Sequence, residues 1–407
     1  MWGALLFAVA CSGSNADRTD AGDADAALGE PVERFAVVVA VRGTGVDSTS
    51  VVLVDDLGAD TAIDLSESLV VPSLGSAFGS PFERDVLFAW SGDAPRLTRF
   101  RVRRDGSFVE EAELALDGRV LTPPRGVAVT DFMVVARDKA YLLDSASGAI
   151  IQWNPETMVM EARLDVPGDI EIPGPRLGPV TGDDQLLTDD ELVFTVGFTN
   201  SREDNISSTS FVVFVDIAND EVRRVLTPDE CGYLRHGRTT ATGDFLFSTG
   251  VRSTAYEVSS AGRIGGPSCI LRVAGDTFNA EVLAPPGALT EDRAAGSFIF
   301  VSDDSAFVRV LDETALPGEP TSLTRLELNN GQYWRWGFVR DFASGEFEVV
   351  AGSELRAGFA PSWEVAGRRY AVEYETDFIG SRILELQPSG ALRPGLRTVH
   401  TVRNIFR

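Results

Sequence analysis

Beyond its first three dozen residues the chain is written in short apolar runs, most of them alternating apolar and polar positions with a period of two. The runs fall at 35–41, 50–54, 86–90, 97–102, 108–116, 132–136, 140–143, 150–153, 158–164, 192–198, 211–217, 221–226, 245–249, 253–258, 269–273, 298–301, 307–311, 323–328, 338–342, 347–351, 370–374 and 383–386. Gly-Asp, Asp-Gly and Arg-Asp-Gly turns separate many of them and supply the φ > 0 positions that hairpins need. No stretch carries the 3.6-residue periodicity of an amphipathic helix. Short strands at regular spacing, more than twenty without a boundary linker, favour a closed ring of small sheets over a sandwich or barrel. Blades of roughly 40–55 residues divide positions 34–407 into seven or eight. The fold class read from the pattern is therefore all-β, a single β-propeller of seven blades, with eight as the alternative count. A loose unit recurs, as in Ala140 to Asp144, Gly148, then Ile150 to Trp153, and again in Phe211 to Asp216 with Glu221, Val222 and Arg223.

The N-terminal segment has a different character. Met1 to Ala10 is a short apolar run ending in small residues, and Cys11 follows. A membrane-spanning helix needs about 20 apolar residues, whereas a secretory core needs roughly 7–15. Ala8-Val9-Ala10-Cys11 has the form of a bacterial lipobox, in which the cysteine is acylated and becomes the mature N-terminus. Ala8 stands where leucine is commonest, and no Lys or Arg precedes the run, as an upstream start codon would leave it. Residues 1–10 are thus read as a lipoprotein signal peptide with Cys11 as the lipidation site. Residues 11–33, rich in Asp, Ala, Gly and Ser, are read as an acidic disordered tether, because they lack the large apolar side chains that would offset ordering entropy. Residues 34–407 are the propeller. Ser12, rather than Asp, follows the acceptor cysteine, which points to the outer membrane, with the body facing the periplasm or the outside.

The net charge is −25, and Lys139 is the only lysine. Nucleic acid is excluded as a partner on this balance, since phosphate neutralisation needs basic stripes. Besides Cys11 there are two cysteines, Cys231 and Cys269, an even pair that suits a disulfide in an exported protein. Two thiols without a nearby histidine make a zinc site a poor fit.

Recognisable chemistry is sparse. The chain has only two histidines, His236 and His400, so a His-rich metal site is excluded and a Ser-His-Asp triad would have to use one of them. His236 lies in the polar run Cys231 to Arg238, ahead of the apolar segment at Phe245. Loops that enter the innermost strands of a propeller line its central mouth, so Arg235, His236 and Arg238 are candidates for a cationic ligand-binding patch; a surface loop pinned by a Cys231–Cys269 bridge explains the same residues. Trp334 and Trp336, flanking Arg335, could stack a planar ligand; strand alternation would instead place one in the core and the next at a blade rim. The acidic pairs Asp183-Asp184, Asp189-Asp190 and Asp303-Asp304 lack the spacing of a calcium loop and read as turn and edge residues. Neither a catalytic constellation, a metal site nor a cofactor motif is assigned.

Arg137 to Tyr141 and Ile151 to Met158 resemble a family of propeller lipoproteins associated with siderophore genes, the Mxc type. Residues 93–100, 267–272 and 333–337 support that likeness, and the chain is similar, more loosely, to YncE/TolB-like propellers. The resemblance implies a seven-bladed propeller on a lipid anchor and a link to iron acquisition, and it carries no active-site residues. Taken with the residues themselves, it leads to an expected function as a lipid-anchored envelope propeller that binds a partner protein or small ligand without catalysis. The alternatives are an accessory role in siderophore or metal uptake, and a hydrolase or lyase using His236 with channel-facing carboxylates.

Overall fold

Runs such as Phe35-Ala-Val-Val-Val-Ala-Val41 are apolar on both faces because each becomes a strand covered on both faces. In the computed structural model they are the second strands of seven four-stranded antiparallel sheets. The structure describes residues 34–42, 47–72, 75–90, 96–116, 131–144, 148–164, 178–199, 206–228, 231–260, 268–375 and 380–407. The lipobox, Cys11 and the tether lie outside them.

Blade one holds β1 (Phe35–Val41), β2 (Ser48–Val54) and β3 (Leu69–Pro72). Blade two is β4 (Ser76–Gly79), β5 (Val86–Trp90), β6 (Arg96–Val102) and β7 (Phe108–Ala115). Blade three is β8 (Phe132–Val134), β9 (Ala140–Leu143), β10 (Ile150–Asn154) and β11 (Val159–Leu164). Blade four is β12 (Gly178–Leu187), β13 (Glu191–Thr199), β14 (Phe211–Asp216) and β15 (Glu221–Leu226). Blade five is β16 (Leu234–Thr239), β17 (Phe245–Thr249), β18 (Ile270–Val273) and β19 (Ala280–Ala284). Blade six is β20 (Ala295–Phe300), β21 (Ala306–Leu311), β22 (Trp334–Asp341) and β23 (Glu346–Val349). Blade seven is β24 (Ser362–Val365), β25 (Arg368–Tyr374), β26 (Ser381–Leu386) and β27 (Leu392–Thr398). The chain's last strand, β28 (Thr401–Phe406), returns to blade one and pairs with β1 in the register Ala36↔Phe406 and Val37↔Ile405. The fold is a seven-bladed β-propeller closed by its own C-terminus, which removes the open sheet edge that a linear array would leave.

An apolar cluster fills each of the seven gaps between consecutive blades. Strand geometry makes this possible, because successive side chains point to opposite faces. Val37 and Val39 pack toward blade seven, whereas Ala36 and Val38 pack toward blade two. In β14, Val212 and Phe214 face blade five, while Phe211, Val213 and Val215 face blade three. The fourth strands β7, β11, β15, β19 and β23 lie at the rim and are mostly exposed.

Two segments that read as strands are helical. Residues 253–258 lie in α1 (Val251–Ser259), which joins β17 to β18, and most of 323–328 lies in α3 (Arg325–Asn330), which joins β21 to β22; a third short helix, α2 (Pro286–Leu289), joins β19 to β20. Thr324 and Glu327 form a reciprocal capping box that starts α3. α1 packs with Tyr233, Leu328 and Trp334 in an eighth apolar cluster, so tertiary cover on one side settles a run too short to show a helical period. Among the described residues no helix is long and apolar enough to cross a membrane.

Candidate functional site

The innermost strands of blades four, five and six are irregular where they face the axis. β12 shifts register between Thr181 and Gln185, β16 between Leu234 and His236, and β20 between Gly296 and Ile299. A bulge adds a residue that opposes none on the neighbouring strand and re-aims the side chains around it. In β12 it rests on Gly182, where a Cβ would lie 2.3 Å from Thr195 Oγ1 and 2.7 Å from the Arg235 carbonyl oxygen. This bulge turns both Asp183 and Asp184 inward, although consecutive strand residues ordinarily point apart; their side chains are only 9% and 11% exposed.

Each carboxylate meets an arginine. Arg235 pairs with Asp183 and donates from Nη1 to the Thr181 carbonyl at 2.7 Å. Burial disfavours the Arg235 charge, but the Asp183 carboxylate outweighs it and raises the guanidinium pKa. Asp184 accepts from the Gly237 amide at 3.0 Å and from Arg369 on β25. Blades four and seven are not neighbours in the ring, so the Asp184–Arg369 pair spans the axis. Burial alone would raise the Asp184 pKa; Arg369 and the adjacent His236 imidazole more than offset that and hold it at about 2.

His236 is 2% exposed, with Nδ1 3.7 Å from Asp183 Oδ2 and 3.8 Å from Asp184 Oδ2. Both separations exceed hydrogen-bond length, and Nδ1 has no hydrogen-bond partner. Arg235, His236 and Asp183 line a partly enclosed cavity with Tyr233, Ser297 and the first residues of α1. Its free space is about 10 Å³, enough for roughly one water. Tyr233 and Ser297 sit at φ +54° and +53°, in the left-handed region that side chains larger than glycine rarely occupy. Arg252 donates to the Tyr233 hydroxyl at 3.1 Å and lies over the rings of Tyr233 and Phe359.

The Cys231–Cys269 disulfide forms, joining the entry of β16 to the start of β18 inside the blade-four/blade-five core. The polar run holding Arg235 and His236 is the innermost strand β16 itself rather than a loop leading into one. Arg238 is not among the lining residues and pairs with Asp303 at 3.2 Å. Trp334 and Trp336 are both fully buried, because residues two apart on a strand share a face; neither stands at a blade rim. Trp334 Nε1 donates to the Leu328 carbonyl at 2.8 Å, and Trp336 Nε1 to Glu373 at 2.7 Å. Behind Trp336 lies Arg309, wholly buried, 4.7 Å from the ring centroid and 3.8 Å from Glu373. Burial pushes the Arg309 pKa down to about 10, which leaves it charged at neutral pH. Asp183 and Asp184 are therefore central rather than turn residues, and the glycine before them is the local sign of the bulge. Among the described residues no group of three or more His, Cys, Asp or Glu is placed to hold a metal ion.

No family model and no curated protein matches the chain. Solved structures do. A hypothetical selenium-binding protein from Sulfolobus tokodaii is 12% identical over 93% of this chain and 94% of its own, with a TM-score of 0.54. A protein from Lactobacillus plantarum is 14% identical over 92% and 98%, with a TM-score of 0.53. A putative 6-phosphogluconolactonase from Bacteroides uniformis is 11% identical over 91% and 98%, with a TM-score of 0.51. At these identities the likeness establishes the seven-bladed fold alone.

Proposed function

We propose that this chain is a non-catalytic β-propeller, fastened to the cell envelope by a lipid on Cys11, that binds a small ligand or partner protein at its axial mouth. The observation that carries the reading is the convergence of three bulged inner strands and two left-handed residues, Tyr233 and Ser297, on one cavity that Asp183, Arg235 and His236 line. Backbone strain of this kind persists where the surroundings over-determine it, and it collects at binding sites. The two axial carboxylates are engaged by arginines, and Asp184 is held far below the range of a general base at neutral pH. That favours recognition over proton transfer.

Ser12 after the acceptor cysteine supports an outer-membrane address, and the resemblance to Mxc-type lipoproteins supports a place in siderophore or metal uptake. Metabolic labelling with a palmitate analogue tests the anchor: wild type takes up label and Cys11→Ala does not. An unlabelled wild-type product would end the envelope reading. Cross-linking in intact cells tests the binding role, with a discrete envelope partner or a retained small molecule expected.

A second reading, a propeller hydrolase or lyase, is favoured by one observation: His236 stands beside two carboxylates, the neighbourhood that a histidine base uses. Turnover of lactone or ester substrates that disappears in His236→Gln would establish it.

A further inference from the structure

The hydrogen-bonding capacity left over in the axial cavity identifies a ligand class. The Tyr233 hydroxyl, 4% exposed, accepts from Arg252 and so still has its own proton to give. Ser297 Oγ, on a residue 3% exposed, accepts from the Val251 amide at 2.9 Å and likewise retains a proton. His236 Nδ1 is buried in the same wall without a hydrogen bond. The nine-residue helix α1 begins at this wall, and its N-cap, Gly250, supplies no side-chain cap. A helix N-terminus carries partial positive charge and suits an anion. One acceptor lines the same cavity: Asp183 Oδ1 is taken by Arg235, while Oδ2 makes no hydrogen bond to His236, 3.7 Å away.

We infer that the cavity seats the carboxylate of a small hydroxy acid. One carboxylate oxygen enters the space that admits roughly one water, accepting from Tyr233 and Ser297 at the head of α1. The neighbouring hydroxyl donates to Asp183 Oδ2. Arg235 neutralises Asp183, so the incoming anion does not meet an uncompensated negative charge. His236 Nδ1 supplies the remaining hydrogen bond. The body of the ligand stays at the mouth, because the enclosed space is too small to admit more than one oxygen. This inference rests on the binding role proposed above and gives it a chemistry.

The test is calorimetry and ligand-observed NMR on the purified body with lactate, propionate, lactamide, phosphate and chloride. Lactate is expected to bind saturably. Propionate, which lacks the hydroxyl, and lactamide, which lacks the charge, are each expected to bind about tenfold or more weaker, as loss of a charge-assisted hydrogen bond predicts. Tyr233→Phe keeps the ring beneath Arg252 and removes the donated proton together with the Arg252 acceptor, so lactate affinity falls about tenfold or more. Ser297→Gly keeps the left-handed backbone and does the same, while Arg238→Ala binds as wild type. Failure of wild type to bind lactate, equal binding of phosphate or chloride, or undiminished binding by Tyr233→Phe overturns the inference. If lactate fails but a discrete envelope partner is cross-linked, the hydroxy-acid seat is wrong and the binding role stands. If lactate binds and esters of hydroxy acids are turned over, the seat stands and the non-catalytic role is wrong.

Discussion

Replacing Asp184 with asparagine removes the charge that ties blade four to blade seven across the axis, without changing side-chain size. The wild-type carboxyl has a pKa of about 2 in the folded protein against 3.8 for a free side chain. At about 1.4 kcal/mol per unit, ionised Asp184 contributes about 2 kcal/mol at pH 7. Because the folded value is the lower one, this contribution is complete above about pH 5 and is lost as pH falls through 2; at pH 3 about half of it remains. The substitution also leaves Arg369, whose side chain is 7% exposed, with only its longer 3.5 Å pairing to the exposed Glu364. Breaking a buried pair by removing one partner typically costs about 3–5 kcal/mol. Urea unfolding followed by both tryptophan fluorescence and circular dichroism should therefore place Asp184→Asn about 3–5 kcal/mol below wild type at pH 7. The gap should narrow by about 1 kcal/mol at pH 3, since wild type alone loses this carboxylate. In the double variant with Arg369→Met, part of the loss should return, because no charge is left unpaired. A deficit under about 1 kcal/mol, or a gap that stays constant from pH 7 to pH 3, would refute the claim that this ion pair closes the ring's centre.

Other perturbations probe the ring and the site. Deleting residues 401–407 removes β28 and bares the edge of β1; the product should be found aggregated by light scattering rather than as a folded monomer. Gly182→Ala should lower the unfolding temperature by several degrees, the cost of driving a methyl group into Thr195 and the Arg235 backbone, which differential scanning calorimetry reads directly. Reducing the Cys231–Cys269 bridge, or replacing both cysteines by serine, should cost about 3–4 kcal/mol for a loop of 38 residues, measured by urea unfolding with and without reductant. Trp336→Phe preserves most of the apolar volume but leaves Glu373 without its indole donor; a loss of about 1–3 kcal/mol is expected from denaturation curves.

Sequence alone determined the second and third strands of most blades, and through them the all-β ring. These strands sit between two neighbouring blades, so runs such as Phe35–Val41 and Phe211–Asp216 must be apolar on both faces, and burial is written directly into composition. The cysteine pair and the prominence of Arg235 and His236 were equally legible, because rare residues in a polar run stand out. The innermost strands β4, β12, β16, β24 and β28 were not. They converge on the axis, where space is short and neighbours are polar, so glycine, serine and charged residues replace the apolar alternation by which strands are recognised. Two helices were hidden for a different reason: the runs at 253–258 and 323–328 are too short to establish a helical period without the packing against the ring, although Thr324 and Glu327 already spelled a helix start. Only the tertiary structure could bring Asp184 to Arg369, 185 positions away, or turn two adjacent aspartates toward one histidine. Local pattern encodes which face of a strand is dry; it does not encode where the ring closes, and the axial site exists only once it has closed.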